Sequence, residues 1–169
     1  AEAQATGQLE HPNIVPIYDF GVLPNGDVFY TMREVEGHSL RHLLQQLREN
    51  DRAREEYTLV RLLNILRQVS QAVHYAHVRS VIHRDLKPEN IMLGDYGEVL
   101  VMDWGLAHVL DQDVTTLHDT DGDSDGQTLG TPSYMPPEQA RGNLAQIDER
   151  SDIYSLGALL YEILTLDPP

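Results

Sequence analysis

The sequence contains no cysteine, and this absence excludes disulfide scaffolds, thiolate metal sites and cysteine nucleophiles. Long apolar runs are also missing: stretches such as the four residues 99–102 fall far short of the ~20 residues that cross a membrane. Positive charge is scarce, with 12 basic against 27 acidic residues and a formal net charge of −15. Because phosphate backbones bind basic faces, we expect no nucleic acid partner. We therefore predict a soluble, cytoplasmic chain without a membrane segment.

The sequence does contain an ordinary globular composition, with 41% hydrophobic and 23% charged residues among 169, enough for one domain with a core. The sequence predicts the tail of a helix over 2–10, a helix over 40–47 with Ser39 as its N-cap, a long helix over 59–79 with Thr58 as its N-cap, and a last helix from Ser151 or Asp152 onward. Short β-type runs predict strands over 14–18, 28–32, 91–93 and 99–102, the first two joined in a hairpin. The charged stretch 51–56 and the Asp-rich stretch 108–130 are interpreted as loops.

One short stretch, 83–90, concentrates the polar groups that carry chemistry. It reads His-Arg-Asp-Leu-Lys-Pro-Glu-Asn and places a carboxylate (Asp85), an ammonium (Lys87) and a carboxamide (Asn90) within six residues. A second carboxylate, Asp103, follows eighteen residues after Asp85, at the far end of a predicted hairpin. Because a hairpin brings its two ends together, we expect Asp103 to lie close to Asn90 and Asp85.

This cluster suits phosphoryl transfer. Mg²⁺ prefers oxygen ligands and is commonly held by one or two protein carboxylates plus water and phosphate, so Asn90 and Asp103 are candidate metal ligands. Asp85 could accept the proton of an attacking hydroxyl, and Lys87 could neutralise charge on the transferring phosphoryl group. Phosphoryl transfer needs such positioning and charge neutralisation more than covalent catalysis.

Together with further motifs, these residues resemble the eukaryotic-type (Hanks-type) serine/threonine protein kinases, in a bacterial-like form. Glu2 resembles the glutamate of the family's C helix, and residues 30–35 (Tyr-Thr-Met-Arg-Glu-Val) resemble its last N-lobe strand and hinge. Residues 130–138 (Gly-Thr-Pro-Ser-Tyr-Met-Pro-Pro-Glu) resemble the end of the activation segment, and 152–157 (Asp-Ile-Tyr-Ser-Leu-Gly) the start of the F helix. The resemblance spans essentially the whole chain, with its motifs in the family's order.

The resemblance implies a role for each matching residue. Asp85 would be the catalytic base, Asn90 and Asp103 would hold Mg²⁺ or Mn²⁺, and Lys87 would indicate Ser/Thr rather than Tyr substrates. Two further catalytic positions would be Glu2 and Thr131, the latter orienting Asp85 and Lys87. The positions implied for ATP are Met32 as gatekeeper, the Arg33 and Val35 backbone at adenine, Met92 as the pocket floor, and Met102 beside Asp103.

The resemblance also implies regulation through Arg84. An arginine directly before the catalytic aspartate marks kinases that are switched on by activation-loop phosphorylation, because a guanidinium can clamp a phosphate with two hydrogen bonds. Thr128 is the first candidate acceptor of that phosphate, and Thr115, Thr116 and Ser124 are others.

The implied fold is α+β, bilobal and protein-kinase-like: an N-lobe remnant and hinge over 1–35, and a mainly helical C-lobe over 36–169 with its catalytic loop at 83–90 and activation segment at 103–138. We expect the sequence to be the middle of a kinase domain, lacking the Gly-rich loop, the strand lysine and the last C-lobe helices. The implied activity is ATP- and Mg²⁺-dependent phosphorylation of Ser/Thr in protein substrates, with this piece alone inactive. The parent could dimerise for autophosphorylation and could be the cytoplasmic part of a membrane-anchored kinase.

Several alternatives remain beside this interpretation. The first is a pseudokinase or docking module that binds without catalysis, and another is an interaction segment centred on the acidic residues 111–125. Aminoglycoside-type phosphotransferases share a His-x-Asp and Asn pattern but lack the surroundings of Lys87 and the stretch 130–138. Two departures from the kinase pattern, Trp104 for the usual Phe and Pro136 for the usual Ala, keep the essential Asp, Gly, Pro and Glu.

Other polar motifs have plainer interpretations. Residues 121–126 open like an EF-hand loop, but its twelfth position would be Pro132, which cannot supply a carboxylate, so a solvated acidic loop is favoured. His74 and His77 lie three apart on the predicted long helix, and we expect packed or solvated side chains there rather than metal ligands. His83 is expected to pack beneath Trp104 rather than to act as an acid or base.

Overall fold

The structure is a computed structural model, and it describes residues 9–25, 28–104 and 132–169. The strands in these ranges are β1 (Ile17–Val22), β2 (Val28–Met32), β3 (His38–Ser39), β4 (Ile91–Leu93) and β5 (Val99–Val101). The helices are α1 (Leu40–Glu49), α2 (Asp51–Glu56), α3 (Leu59–His77), α4 (Pro137–Ala140) and α5 (Glu149–Thr165). Short 3-10 helices cover Pro88–Asn90, Pro132–Tyr134 and Leu144–Gln146. In these ranges no helix combines the length and apolarity needed to span a bilayer.

Strands β1 and β2 form the predicted antiparallel hairpin, with Ile17 opposite Met32 and Val22 opposite Val28. The prediction that the first strand begins at Ile14 is wrong. Ile14 instead forms a parallel bridge with Val101 of β5, and the N–H of Val15 donates to the Val101 carbonyl at 3.0 Å. Pro16 separates the two pairings, since it has no N–H to continue a ladder. The residues just before β1 therefore pair with β5 and not with β2.

The second sheet has the order β3-β4-β5, with antiparallel neighbours. Strands β4 and β5 confirm the predicted pair over 91–93 and 99–102, whereas β3 was not predicted because two residues are too few to show alternation. Gly37 has a φ of +123°, and a Cβ there would lie 2.1 Å from the carbonyl oxygen of Leu93. Only glycine therefore allows the chain to enter β3 so close to β4.

Helices α1 and α3 confirm two predicted helices and their first residues. Ser39 Oγ accepts a hydrogen bond from the N–H of His42 at 3.3 Å, and Thr58 Oγ1 accepts one from the N–H of Arg61 at 3.4 Å. Each satisfies a donor that the first helical turn leaves free. Both helices then bury an apolar stripe, which in α1 is Leu40, Leu43, Leu44 and Leu47 and in α3 is Leu62, Ile65, Val69, Ala72, Val73 and Ala76. Helix α3 packs on α5, whose Leu159 and Ile163 join the same core.

Two other helix predictions are wrong. Residues 51–56 are not a loop but helix α2, which begins because Asn50 Oδ1 accepts from the N–H of Arg52 at 2.9 Å. Helix α5 starts at Glu149, before the predicted Ser151 or Asp152, because Asp148 Oδ1 accepts from the N–H of Arg150 at 2.9 Å. In both cases the helix begins at a capping side chain that no apolar pattern in the sequence marks.

Two predicted elements lie partly or wholly outside the described residues. They are the helix over 2–10, of which only Leu9 and Glu10 are described, outside any helix, and the Asp-rich loop over 108–130.

Candidate active site

Helix α5 fixes the loop 83–90 through one buried carboxylate. Asp152, on the first turns of α5, is fully buried and accepts hydrogen bonds from the backbone N–H groups of His83 and Arg84, each at 2.9 Å. Oδ2 of Asp152, the oxygen that accepts from the N–H of His83, also lies 2.7 Å from Nε2 of His77 on α3. These bonds hold Arg84 at a φ of +69°, a backbone conformation that non-glycine residues rarely adopt.

His83 is a buried packing residue. Its Nε2–H donates to the carbonyl of Met102 at 2.9 Å, and its ring lies 4.8 Å from the Trp104 ring, between centroids. Burial lowers the pKa of His83, although the nearby carboxylates and the hydrogen bond to Met102 oppose this. The contact with Trp104 confirms the packing expected from the sequence, and the lowered pKa favours the neutral ring.

Asp85, Lys87 and Asn90 form one hydrogen-bonded group. Lys87 Nζ lies 2.6 Å from Asp85 Oδ2, and Asn90 Nδ2 donates to the same oxygen at 3.1 Å and to the Asp85 carbonyl at 2.8 Å. The Asp85 side chain remains 41% exposed, and no described residue donates to its Oδ1. A carboxylate held by one oxygen and open at the other is suited to accept a proton from a bound hydroxyl.

Asp103 is brought to this group by strand β5. The N–H of Met102 donates to the Asn90 carbonyl at 3.0 Å, so the chain leaves β5 directly beside the loop. Asp103 follows with a φ of +59°, and its side chain is exposed. Asp103 therefore follows directly after the contact between Met102 and Asn90, and Asn90 in turn bonds to the Asp85 carboxylate. The structure thus brings together Asp85, Lys87, Asn90 and Asp103.

The donor chemistry of Asn90 and Asp103 fits a hard divalent cation. The Asn90 amide nitrogen donates to Asp85, and none of the described residues donates to the amide oxygen, which leaves that oxygen available to a ligand. Asp103 has one oxygen bonded to a tyrosine, described below, and a second that no described residue engages. Mg²⁺ typically keeps several waters and needs only one or two protein carboxylates. Within the described ranges, no cluster of three or more His, Asp or Glu side chains is arranged to hold a metal.

The residues expected at ATP lie around the two sheets. Met92 is the centre of β4, and because Ile91 and Leu93 are buried in the core, strand alternation directs Met92 to the opposite face. Met32 ends β2, and Arg33 follows with its N–H bonded to the Pro16 carbonyl at 3.2 Å. No described residue pairs with the backbone N–H of Val35. Glu2, Thr131 and Thr128, together with Thr115, Thr116 and Ser124, lie outside the described residues.

A small recess opens beside Asp85. It is lined by Arg84, Asp85, Leu86, Tyr134, Met135, Gln139 and Ser155. Arg84, the expected regulatory residue, therefore lies next to Asp85 and lines this recess together with Tyr134 and Met135.

Sequence reasoning missed Tyr30. Its hydroxyl donates to Asp103 Oδ1 at 2.7 Å, and burial, with the hydrogen bond to Asp103 and its charge, raises the pKa of Tyr30 to about 12. The one available signal was strand alternation, because Tyr30 lies two residues before Met32 in β2 and so on the same face.

Sequence reasoning also missed a buried ionic cluster around Glu162 of α5. This carboxylate is fully buried and lies 2.5 Å from Arg41 and 2.9 Å from Arg48, both on α1. Arg41 also binds Glu89 of the loop 83–90 at 2.7 Å, and the Tyr134 hydroxyl donates to Glu162. Burial and the bond to Glu162 raise the pKa of Tyr134 to about 12. Four separate segments meet at this cluster.

Comparison with known protein families identifies the family to which this chain belongs. The family profile for the protein kinase domain matches residues 1–169. The chain belongs to the protein kinase family. The expected resemblance and the protein-kinase-like α+β fold are therefore confirmed.

Individual relatives agree with this assignment. The chain is 41% identical to the serine/threonine-protein kinase PknD of Protochlamydia amoebophila over 184 residues, covering 99% of this chain and 18% of that protein. It is 42% identical to a probable serine/threonine-protein kinase of Streptomyces coelicolor over 171 residues, covering 99% of this chain and 23% of that protein. Among solved structures, the kinase domain of Mycobacterium tuberculosis PknI matches with a TM-score of 0.71 at 26% identity, over 98% of this chain and 55% of that one. The chain thus spans about a fifth of the length of these curated relatives.

Proposed function

We propose that the protein carrying this chain is an ATP- and Mg²⁺-dependent serine/threonine protein kinase. The observation that carries the proposal is the hydrogen-bonded group of Asp85, Lys87 and Asn90, with Asp103 delivered beside it by β5. Lys87, and the names of the relatives, support Ser/Thr rather than Tyr as the acceptor. The strongly acidic balance of the chain is in keeping with a protein rather than a nucleic acid partner.

In this mechanism Asp85 orients the acceptor hydroxyl and takes its proton through Oδ1. The hydroxyl oxygen forms a bond to the γ-phosphorus of ATP, while the bond from that phosphorus to the bridging oxygen breaks and ADP leaves. Lys87, held 2.6 Å from Asp85, supplies positive charge to the moving phosphoryl group. The oxygens of Asn90 and Asp103 would hold the divalent cation, which neutralises phosphate charge when bound.

Arg84 supplies the proposed regulation. It lies beside Asp85 and borders the recess that Tyr134 and Met135 also line, and a guanidinium there could bind a phosphate on the activation segment. We assign Thr128 as the first candidate acceptor of that phosphate. The cytoplasmic location and a dimer formed for autophosphorylation belong to the same proposal.

The test is transfer of labelled γ-phosphate from ATP to a Ser/Thr peptide library by the natural full-length protein. We expect Asp85→Asn and Asp103→Asn each to lower the rate by about 10³-fold, the scale of a lost general base or charge-stabilising group. Asp51→Asn is the matched control, since the Asp51 side chain is exposed at the start of α2, and its rate should equal that of the wild type.

Two outcomes would contradict the proposal. If the wild-type protein binds nucleotide but transfers no phosphate, the protein is a pseudokinase or docking module. Asp85→Asn or Asp103→Asn variants that keep the wild-type rate would show that the clustered carboxylates do not carry the chemistry.

A further inference from the structure

The hydrogen bond between Tyr30 and Asp103 joins two parts of the molecule that are distant in sequence. Tyr30 lies in the middle of the β1–β2 hairpin, and Asp103 follows β5 of the other sheet, 73 positions later. The hydroxyl-to-carboxylate distance of 2.7 Å is that of a strong, charge-assisted hydrogen bond. Tyr30 therefore reaches from the hairpin to the catalytic cluster.

Asp103 has one described support for its side chain, the Tyr30 hydroxyl. It is exposed, and its backbone is in the left-handed region at a φ of +59°. The described residues place no cation beside it, since Lys87 is directed to Asp85. An exposed carboxylate without such a support samples several rotamers, and this costs entropy when the side chain must adopt one of them to bind a ligand.

Tyr30 supplies this support at one oxygen only. Its hydroxyl engages Oδ1, and no described residue engages Oδ2. The phenol is carried on a paired strand, with Tyr30 opposite Phe20 in the β1–β2 ladder, so its position is set by the hairpin. A partner that fixes one carboxylate oxygen orients the other toward a metal, in the way that hydrogen-bonded groups behind metal ligands generally do.

We propose that Tyr30 is a positioning residue for the metal ligand Asp103, holding Oδ1 so that Oδ2 is presented to the divalent cation. This inference rests on the proposed function, because it assumes that Asp103 binds the cation. Its consequence is that the hairpin, through one hydroxyl, sets the affinity of the cation site.

The test compares Tyr30→Phe with the wild type in the natural full-length protein. The substitution keeps the ring and removes only the hydroxyl. Tyr18→Phe is the matched control, because Tyr18 lies on the same hairpin and its side chain is 65% exposed. The probe is Mn²⁺, titrated at a fixed concentration of a non-hydrolysable ATP analogue, with analogue binding followed by calorimetry.

We expect Tyr30→Phe to raise the Mn²⁺ concentration at half-saturation by about tenfold, the low end of the effect of losing a group behind a metal ligand. Tyr18→Phe should leave it unchanged. In phosphate transfer, Tyr30→Phe should raise the Mg²⁺ requirement while kcat at saturating Mg²⁺ stays near the wild-type value. A merely structural role would move the unfolding temperature and not this Mg²⁺ requirement.

A double-mutant cycle distinguishes the positioning role of Tyr30 from the proposed kinase function. In an Asp103→Ala background, Tyr30→Phe should have no further effect on Mn²⁺ half-saturation, because the acceptor of the Tyr30 hydrogen bond is gone. If wild type shows Mn²⁺-dependent binding and Tyr30→Phe matches it or binds Mn²⁺ more tightly, the positioning role is wrong and the proposed function stands. If wild type shows no Mn²⁺-dependent binding of the analogue, both are wrong.

Discussion

At the scale of single residues, burial separates the roles of His83 and Asp85, which lie two positions apart. The Asp85 side chain is 41% exposed and is held by Lys87 and Asn90, so it can exchange a proton with a bound substrate. His83 is fully buried between the Met102 carbonyl and the Trp104 ring. Its buried imidazole therefore supports the loop 83–90 by packing and by the hydrogen bond to Met102.

The lowered pKa of His83 predicts a specific loss of stability in acid. The unfolded chain protonates this histidine below its ordinary pKa of about 6.5, while the folded protein resists protonation. The contribution of His83 to the free energy of unfolding is therefore complete above about pH 6.5 and is lost as the pH falls toward the folded-state pKa. Urea unfolding of wild type and His83→Phe, measured from pH 7.5 to 5, checks this.

The difference in unfolding free energy between wild type and His83→Phe should shrink as the pH falls. The control is His74→Gln, because His74 is exposed on α3 and its replacement should leave the pH dependence of the wild type intact. A His83→Phe variant with the wild-type pH dependence would show that His83 is not held neutral.

At this scale, contacts between residues close in sequence could be predicted, whereas contacts between residues far apart in sequence could not. Asp85, Lys87 and Asn90 lie within six positions, so their spacing alone predicts a cluster. Tyr30 and Asp103 are 73 positions apart, and their contact depends on how a hairpin and a sheet are placed. Only the structure provides that placement.

At the scale of secondary-structure elements, the cluster around Glu162 holds four segments together. Its carboxylate accepts from Arg41 and Arg48 of α1 and from the Tyr134 hydroxyl of the 3-10 helix Pro132–Tyr134. Arg41 extends the contact to Glu89 in the catalytic loop. For Arg41, burial alone would lower the pKa, but the bonds to Glu89 and Tyr134 and the charge of Glu162 raise it instead.

We predict that Glu162→Ala destabilises the protein by about 3–5 kcal/mol, the cost of removing one partner from a buried ionic group and leaving the others uncompensated. Glu149→Ala, an exposed acidic residue on the first turn of the same helix, should change stability by less than about 1 kcal/mol. Denaturant unfolding of the two variants checks both values. Equal stabilities for the two variants would mean that the cluster contributes no net stability.

The prediction of secondary structure succeeded where apolar residues recurred at helical spacing over several turns. Helices α1 and α3 each bury several apolar residues at helical spacing, and both were predicted from their capping residues. Helix α2 has no buried residue, so it carries no apolar pattern and was interpreted as a loop. Strand β3 contains two residues, and pairing with β4 rather than its own sequence makes it a strand.

At the scale of the whole molecule, helices α3 and α5 pack against each other. Asp152 of α5 then fixes the position of the loop 83–90 by accepting two backbone hydrogen bonds from it. The second sheet follows that loop and returns Asp103 to it, and the β1–β2 hairpin reaches the same point through Tyr30. The order of the motifs in the sequence predicted the family and its fold, because each motif occupies a fixed place in that fold. The ionic and hydrogen-bonded contacts between the parts were not predictable, since they depend on distances that motif order does not contain.

The central claim is that Asn90 and Asp103 hold a divalent cation next to Asp85. A crystal structure of the natural protein with Mn²⁺ and a non-hydrolysable ATP analogue tests it most directly, because anomalous scattering locates the metal. We predict Mn²⁺ within about 2.3 Å of the Asn90 amide oxygen and of an Asp103 carboxylate oxygen, with the γ-phosphate facing Asp85. A bound metal–nucleotide complex that touches neither Asn90 nor Asp103 would contradict the claim.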